Sequence, residues 1–422
     1  MNRRIFLKSG ALSLVTLGLS PSFLRRTAFA AELPTLARGK TLIVLFQRGA
    51  ADALNVVVPF GDKAYYQARP QLAIGAPTNG IGRAGAIDLD GYFGLHPALS
   101  PFKPLWDRGM LVPIHAVGSP SSTRSHFDAQ DYMETGTPDR KGTTDGWLNR
   151  YLATRGTCEQ CAPNVDVPFR AVAMSAQTPR ILGGASPTVS MNSIDEFSIR
   201  TNGGDAEKRI EALYRTGNSD RVHSSGSEMF EALRVLRAAN PQQYKAAAGV
   251  EYPRSPFGQH LLQIAQLIKS DVGLEVAFAD VGGWDTHVNQ GGAQGQLAGR
   301  LTDFSSSIAA LVTDLGDRMA DVVILTMSEF GRTVRQNGTG GTDHGHAGAM
   351  FVIGGTLKGK QKVHGRWPGL APEQLNEGRD LALTTDFRSV FGEVASKHLG
   401  AKQLDKIFPG YGGREQEWLG LL

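Results

Sequence analysis

The sequence predicts an α/β fold: a mostly parallel sheet sandwiched by helices, with an inserted irregular cap region. Three observations carry this. Short, continuously apolar runs recur between glycine- or proline-containing breaks, as expected of strands buried on both faces. Between several of them lie longer segments whose apolar residues fall three to four apart, the period of a helix with one buried face. Strand and helix patterns alternate along the chain, which favours a parallel sheet over a sandwich or a bundle.

In order, residues 41–46 form the first run, apolar after Thr41, and 111–116 form the second, ended by Gly118-Ser119-Pro120. Residues 274–279 form the third, stopped by Gly282-Gly283. The fourth is 322–326 and the fifth 349–353, before Gly354-Gly355. Leu297, Leu301, Phe304, Ile308, Leu311 and Leu315 mark the longest amphipathic helix, and 260–268 and 387–399 read the same way. Residues 155–252 are less regular, with Ser/Asn/Gly-rich stretches around two modest helices. Apolar residues persist there, so the segment reads as an inserted cap or subdomain rather than a linker.

Composition excludes several classes. The 422 residues are 41% hydrophobic and 20% charged, which is globular rather than disordered. The formal charge of +4 is a property of the N-terminus alone. Residues 1–31 hold Arg3, Arg4, Lys8, Arg25 and Arg26 and no acid. Removing those five from 44 basic residues leaves 39 against 40 acidic ones, a net of −1. No bulk basic surface remains to argue for nucleic acid, and no phosphate-loop or dinucleotide fingerprint is present.

That N-terminus has the order of an export signal: Arg3-Arg4, then an uncharged, weakly apolar stretch over residues 9–20, then Ala28-Phe29-Ala30. The stretch is too short to cross a bilayer, which takes ~20 apolar residues. Residues 1–31 are therefore expected to be a twin-arginine signal peptide read by the twin-arginine translocase. Residues 32–422 are then a periplasmic or secreted domain without a stable transmembrane segment. Cys158 and Cys161 form a C-x-x-C with no following His. A local disulfide is the expected state and a redox pair the alternative.

Polar residues gather after the strands, where open α/β sheets bind ligands. Asp52 follows the first run in a glycine-containing turn. Ser125 and His126 follow the second, where a helix begins; Ser125 reads either as an N-cap or as a group facing an anion. Asp285 and His287, two apart after Gly282-Gly283, suit a shared divalent ion. Glu329 and Arg332 follow the fourth run, and Asp343, His344 and His346 precede the fifth. Imidazoles with carboxylates suit Zn, Mn or Fe, and a carboxylate-dominated subset accepts Mg or Ca.

The ordered motifs Gly-Ala-Ala-Asp-Ala-Leu-Asn (49–55), Arg-Ser-His-Phe-Asp-Ala-Gln-Asp-Tyr (124–132), Gly-Gly-Trp-Asp-Thr-His (282–287), Ser-Glu-Phe-Gly-Arg-Thr (328–333) and Gly-Thr-Asp-His-Gly (341–345) resemble an exported bacterial family, domain of unknown function 1501. Its members look like distant relatives of the alkaline phosphatase and sulfatase superfamily. The resemblance implies an alkaline-phosphatase-like fold with one or two divalent ions (Zn, Mg, Ca or Mn) at the strand ends. It matches Asp52, Asp285, His287, Glu329 and either His344 or His346 to metal ligands, and Ser125 to the nucleophile; Asp343 joins the metal candidates from its place beside the two histidines. Phe330 stands where a second-site His is expected, and no Cys-x-Pro-x-Arg motif supports formylglycine chemistry.

The function these readings imply is metal-dependent hydrolysis of a phosphate or sulfate ester, on a small anionic substrate or a polymer. Ser125, His126 and Arg332 are the catalytic candidates, with Arg124 beside Arg332 as a second guanidinium for the anion. The alternative is a non-catalytic envelope protein that keeps the fold and metal site for binding or assembly.

Overall fold

The computed structural model describes residues 39–78, 85–155, 167–195, 197, 212, 221–358, 361–411 and 414–422. The expected signal segment, residues 1–31, and Cys158 and Cys161 lie outside the described residues. Eight strands make one sheet: β1 Thr41–Gln47, β2 Leu111–Gly118, β3 Ala171–Met174, β4 Val189–Met191, β5 Val276–Val281, β6 Val322–Met327, β7 Gly348–Gly354 and β8 Thr385–Asp386. Their order is β8-β2-β7-β6-β1-β5-β3-β4. β7 pairs antiparallel with both β2 and β6, and every other pairing is parallel. The fold is the α/β class expected, with a mostly parallel mixed sheet.

β1 is buried along its whole length because helices cover both faces. Ile43 and Leu45 point into one core cluster, and Leu42, Val44 and Phe46 into the other, as the two-residue strand period requires. On the first face lie α4 (Pro256–Lys269) and α5 (Gln296–Leu315), through Leu261, Ile264, Leu301, Phe304 and Ile308. On the other lie α2 (Trp147–Arg155) and α6 (Phe387–Glu393), through Trp147, Tyr151, Phe387 and Phe391. α4 starts earlier than the apolar spacing showed, because Ser255 caps Gly258 N and Pro256 occupies the first turn. α6 is shorter than the 387–399 reading, giving way to a π-helical turn over Val394–His398.

Two corrections concern strands. The third run, expected at 274–279, pairs as Val276–Val281, since Asp280 and Val281 continue the ladder opposite Phe46 and Gln47. Within residues 155–252, β3 and β4 extend the main sheet, so those parts are not a cap above it. Short strands of four and three residues carry too little pattern to register as periodic. α3 (Arg221–Ala239) follows them. Among the described residues no helix is long and apolar enough to cross a membrane.

His115 in β2 is a buried internal residue, with Nε2 at 3.0 Å from Val57 O and Nδ1 accepting from Ala116 N at 2.9 Å. Burial lowers its pKa from 6.5 to about 4, outweighing the Val57 bond. The unfolded chain therefore takes up a proton near pH 6.5 that folded His115 refuses, so stability falls as pH drops from about 6.5 toward 4. Between pH 7.5 and 4.5, His115→Gln is expected to lose about 2–3 kcal/mol less than the parent chain. Urea unfolding at the two pH values measures the difference.

Candidate metal centre

The carboxyl ends of β1, β2, β5 and β6 share one edge of the sheet. β7, running the other way, begins at that edge, so the loop before it joins theirs. His126 is the first residue of α1 (His126–Thr135), which follows β2. Asp285 and His287 lie in the loop after β5, Glu329 directly beyond β6, and Asp343 to His346 before β7. The last two segments lock together: Arg332 and His344 form an antiparallel bridge, and Thr333 N donates to Asp343 O at 2.9 Å. Glycine makes two of these approaches feasible. A Cβ on Gly345 would sit 2.4 Å from the Arg332 carbonyl carbon, and one on Gly49 (φ +118) 2.7 Å from Asp285 N.

Three imidazoles and one carboxylate converge there. His126, Asp285 and His344 each offer a ligand atom within 4.8 Å of the others. Asp285 Oδ1 lies 3.2 Å from His344 Nε2 and 2.9 Å from His287 Nε2, and its Oδ2 lies 3.5 Å from His126 Nε2. Each ring is held from behind by an oxygen. His126 Nδ1 is 2.8 Å from Glu329 Oε1, His287 Nδ1 3.0 Å from Asp343 Oδ1, and His344 Nδ1 2.9 Å from Arg124 O. With each Nδ1 donating to its oxygen, all three Nε2 atoms carry lone pairs toward one point. His287 Nε2 and His344 Nε2 are only 3.0 Å apart, and the buried His126 Nε2 has no hydrogen-bond partner among the described residues. Lone pairs so placed repel unless a metal ion or a shared proton lies between them. These separations are those of neighbouring ligands around one ion with bonds of ~2.0–2.2 Å.

The electrostatics divide the rings: a proton competes with an ion for the more basic His126, while His344 is shifted toward the neutral form. The Glu329 bond raises the His126 pKa, outweighing burial. Burial pushes the Glu329 carboxyl up, but bonds from His126, Gln130 and Gly49 N overcome it and hold the group ionised. Burial likewise raises Asp285, and the Arg332 hydrogen bond and charge bring it below the usual carboxylate range. The His287 bond lowers the Asp343 pKa. Burial lowers the His344 pKa, keeping that ring neutral and able to ligate.

Other predicted residues are placed differently. Asp52 is fully buried and away from the cluster, clasped by Arg69 through bonds of 2.6 and 2.8 Å and by Gln290 at 2.6 Å. Glu329 accepts from Gly49 N, His126 and Gln130 on one oxygen, which stands behind the His126 ring. Asp343 stands behind His287 in the same way. His346 is not drawn into the cluster; it neighbours Arg124, Glu377 and Asp380. Arg332 is buried and spends its donors on the carbonyls of Gly49, Ala50, Trp284 and Thr342 and on Asp285, which leaves none for a substrate anion. Ser125 is exposed at the N-cap position of α1 and makes no capping bond. Phe330 is buried as the floor of the site, its ring 5.0 Å from those of both His126 and His344.

In the sequence His126 reads as a catalytic candidate that orients or acts as acid or base, because nothing local reveals that its Nε2 meets Asp285. The Arg69 partner of Asp52 had no signal at all.

The family described as Protein of unknown function (DUF1501) matches residues 114–408. The chain belongs to that family. The DUF1501 match takes in every residue of the cluster. No curated protein matches the chain. Among solved structures, the C-terminal periplasmic domain of EcEptC from Escherichia coli, crystallised in complex with Zn, is similar at 9% identity and TM-score 0.35. That likeness covers 76% of this chain and 74% of that one. BT1596, a 2-O GAG sulfatase, is similar at 9% identity and TM-score 0.28, over 77% of this chain and 66% of that one.

Glu329→Gln tests the outer layer of the centre. An amide keeps the shape but loses the charge that fixes His126, so affinity for a divalent ion is expected to fall about 10–100-fold. Competition against a chromophoric chelator reads the change.

Proposed function

We propose that this chain is an exported, metal-dependent hydrolase of phosphate or sulfate esters. The observation that carries the reading is the convergence of three Nε2 atoms and the Asp285 carboxylate, each ring backed by an oxygen, at a solvent-facing edge where Asp285 is 45% exposed. Two or three imidazoles with one carboxylate suit Zn or Mn better than the oxygen-seeking Mg or Ca. His126, Asp285 and His344 would hold a single ion, with His287 joining through Asp285. Bound there, such an ion supplies Lewis acidity toward an ester oxygen and lowers the pKa of water.

The chain's own groups do the rest. Glu329, Asp343 and Arg124 O keep the three rings in one tautomer and orientation. Ser125, exposed beside His126, is the side-chain nucleophile candidate, with water the alternative. Arg124 engages Glu377 and Asp380 through Nη2 at 2.6 and 2.8 Å, and its Nε, shut off from solvent, has no partner among the described residues. The solvent-facing part of its guanidinium, on a side chain 32% exposed, is the proposed contact for an anion's oxygens. The export reading rests on Arg3-Arg4, the short apolar stretch and Ala28-Phe29-Ala30.

The test is turnover of phosphomonoesters, phosphodiesters and sulfate esters by the metal-loaded mature chain, beside Ser125→Ala and Asp285→Asn. Hydrolysis lost in Asp285→Asn is the expected result, and loss in Ser125→Ala separates serine from water as nucleophile. Stoichiometric metal with no turnover of any ester would overturn the hydrolase reading in favour of a metal-stabilised binding protein of the envelope.

A further inference from the structure

Four large apolar side chains stand exposed among the described residues: Phe127 at 90%, Val288 at 51%, Met229 at 37% and Tyr92 at 36%. The two most exposed each directly follow a histidine of the metal centre, His126 and His287. Tyr92 has ring contact with Phe93, whereas Phe127 makes no ring contact among the described residues.

Neither position needs an apolar residue for folding. The inner side of α1 is accounted for by buried Ala129 and Met133 and by Gln130, which bonds Glu329. The outward positions of that helix are polar and paired, Asp128 with Lys141 and Asp131 with Arg180. Phe127 is the exception on that outward side. In the loop after His287, Asn289 N is held by Thr339 O, and Gln290 is buried against Asp52, Thr286 and Thr342. Val288 contributes only its backbone carbonyl, to Gln296. A bare phenyl ring on a solvent-facing first turn is a ready surface for another apolar group.

We propose that Phe127 and Val288 form an apolar lip that takes the organic side of the ester. The site then favours anionic esters of aryl or alkyl alcohols over those of sugars or glycerol. This rests on the reading of the centre as a site for anionic esters.

The probes are phenylphosphonate and methylphosphonate, which carry the anion but no scissile ester bond, titrated calorimetrically into the metal-loaded mature chain. Phenylphosphonate is expected to bind about tenfold tighter, equivalent to ~1.4 kcal/mol. Phe127→Ala and Val288→Ser each shrink that ratio, and the double variant brings it near one. An unchanged ratio in the double variant, no preference in the parent chain, or no phosphonate binding at all overturns the lip. Turnover of phenyl phosphate without any phenyl preference sinks the lip alone, whereas phenyl preference without turnover sinks the hydrolase reading alone. Vesicles of phosphatidylglycerol serve as the last arm. If the double variant loses vesicle binding while the phosphonate ratio stays put, the two side chains face a lipid surface and the lip is overturned.

Discussion

Asp52→Ala is expected to cost about 3–5 kcal/mol of stability, the penalty for leaving a buried charge unpaired. Arg69 is fully buried, and its guanidinium bonds both Asp52 oxygens, Asn55 Oδ1, and the carbonyls of Thr333 and Val334. It ties the turn after β1 to the loop after β6, so losing Asp52 loosens the floor on which the site loops rest. Urea unfolding of the mature chain measures the loss. Asp52→Ala/Arg69→Met should recover a large part of it, because the second change removes the orphaned charge. In the folded fraction, metal stoichiometry should be unaltered. A single variant as stable as the parent chain would contradict the pairing. One that stays stable but binds no metal would return Asp52 to the ligand set.

Asp285→Asn is expected to weaken binding of a divalent ion by more than the ~100-fold upper range for losing an outer hydrogen-bond partner. Asp285 is the one carboxylate facing His126, His287 and His344 together. Its charge also neutralises Arg332, which sits 2.5 Å from Oδ1. An amide supplies one neutral oxygen and leaves the guanidinium's positive charge beside the ion's position. Arg332 keeps its four backbone carbonyls, so the fold should persist and the defect should lie in affinity. Chelator competition gives the number; affinity within a few fold of the parent would place the ion elsewhere.

Much of this was legible in the sequence because it is local. Continuous apolar runs marked β1, β2, β6 and β7 nearly to the residue, since central strands of such a sheet have no solvent face to interrupt them. The Leu/Phe/Ile spacing of α5 gave its extent because one face alone is buried. The rule that polar residues after parallel strands build sites led to Asp285, His287 and His344. What stayed hidden depends on contacts distant in sequence. Asp52, Glu329 and Asp285 all read as carboxylates after strands, and residue type cannot tell which faces a cation, which an arginine and which a ring nitrogen. Asp52 meets Arg69, 17 residues on, and Glu329 meets His126, 203 residues back. Arg332 looked like an anion binder, but four backbone carbonyls from three loops take its donors. Phe330, unexpected at a site where a His was awaited, is the apolar base beneath two ligand rings. β3 and β4 went unseen because strands this short look like the loops around them.

His126, Asp285 and His344, with His287 beside them, are expected to hold one divalent ion. X-ray absorption at the metal edge, on mature chain loaded with one equivalent of zinc, tests it most directly. The predicted result is a first shell of nitrogen and oxygen at ~2.0–2.1 Å, with the outer-shell scattering of two or three imidazoles that disappears in Asp285→Asn. Zinc bound without imidazole scattering, or a spectrum unchanged by Asp285→Asn, would contradict it.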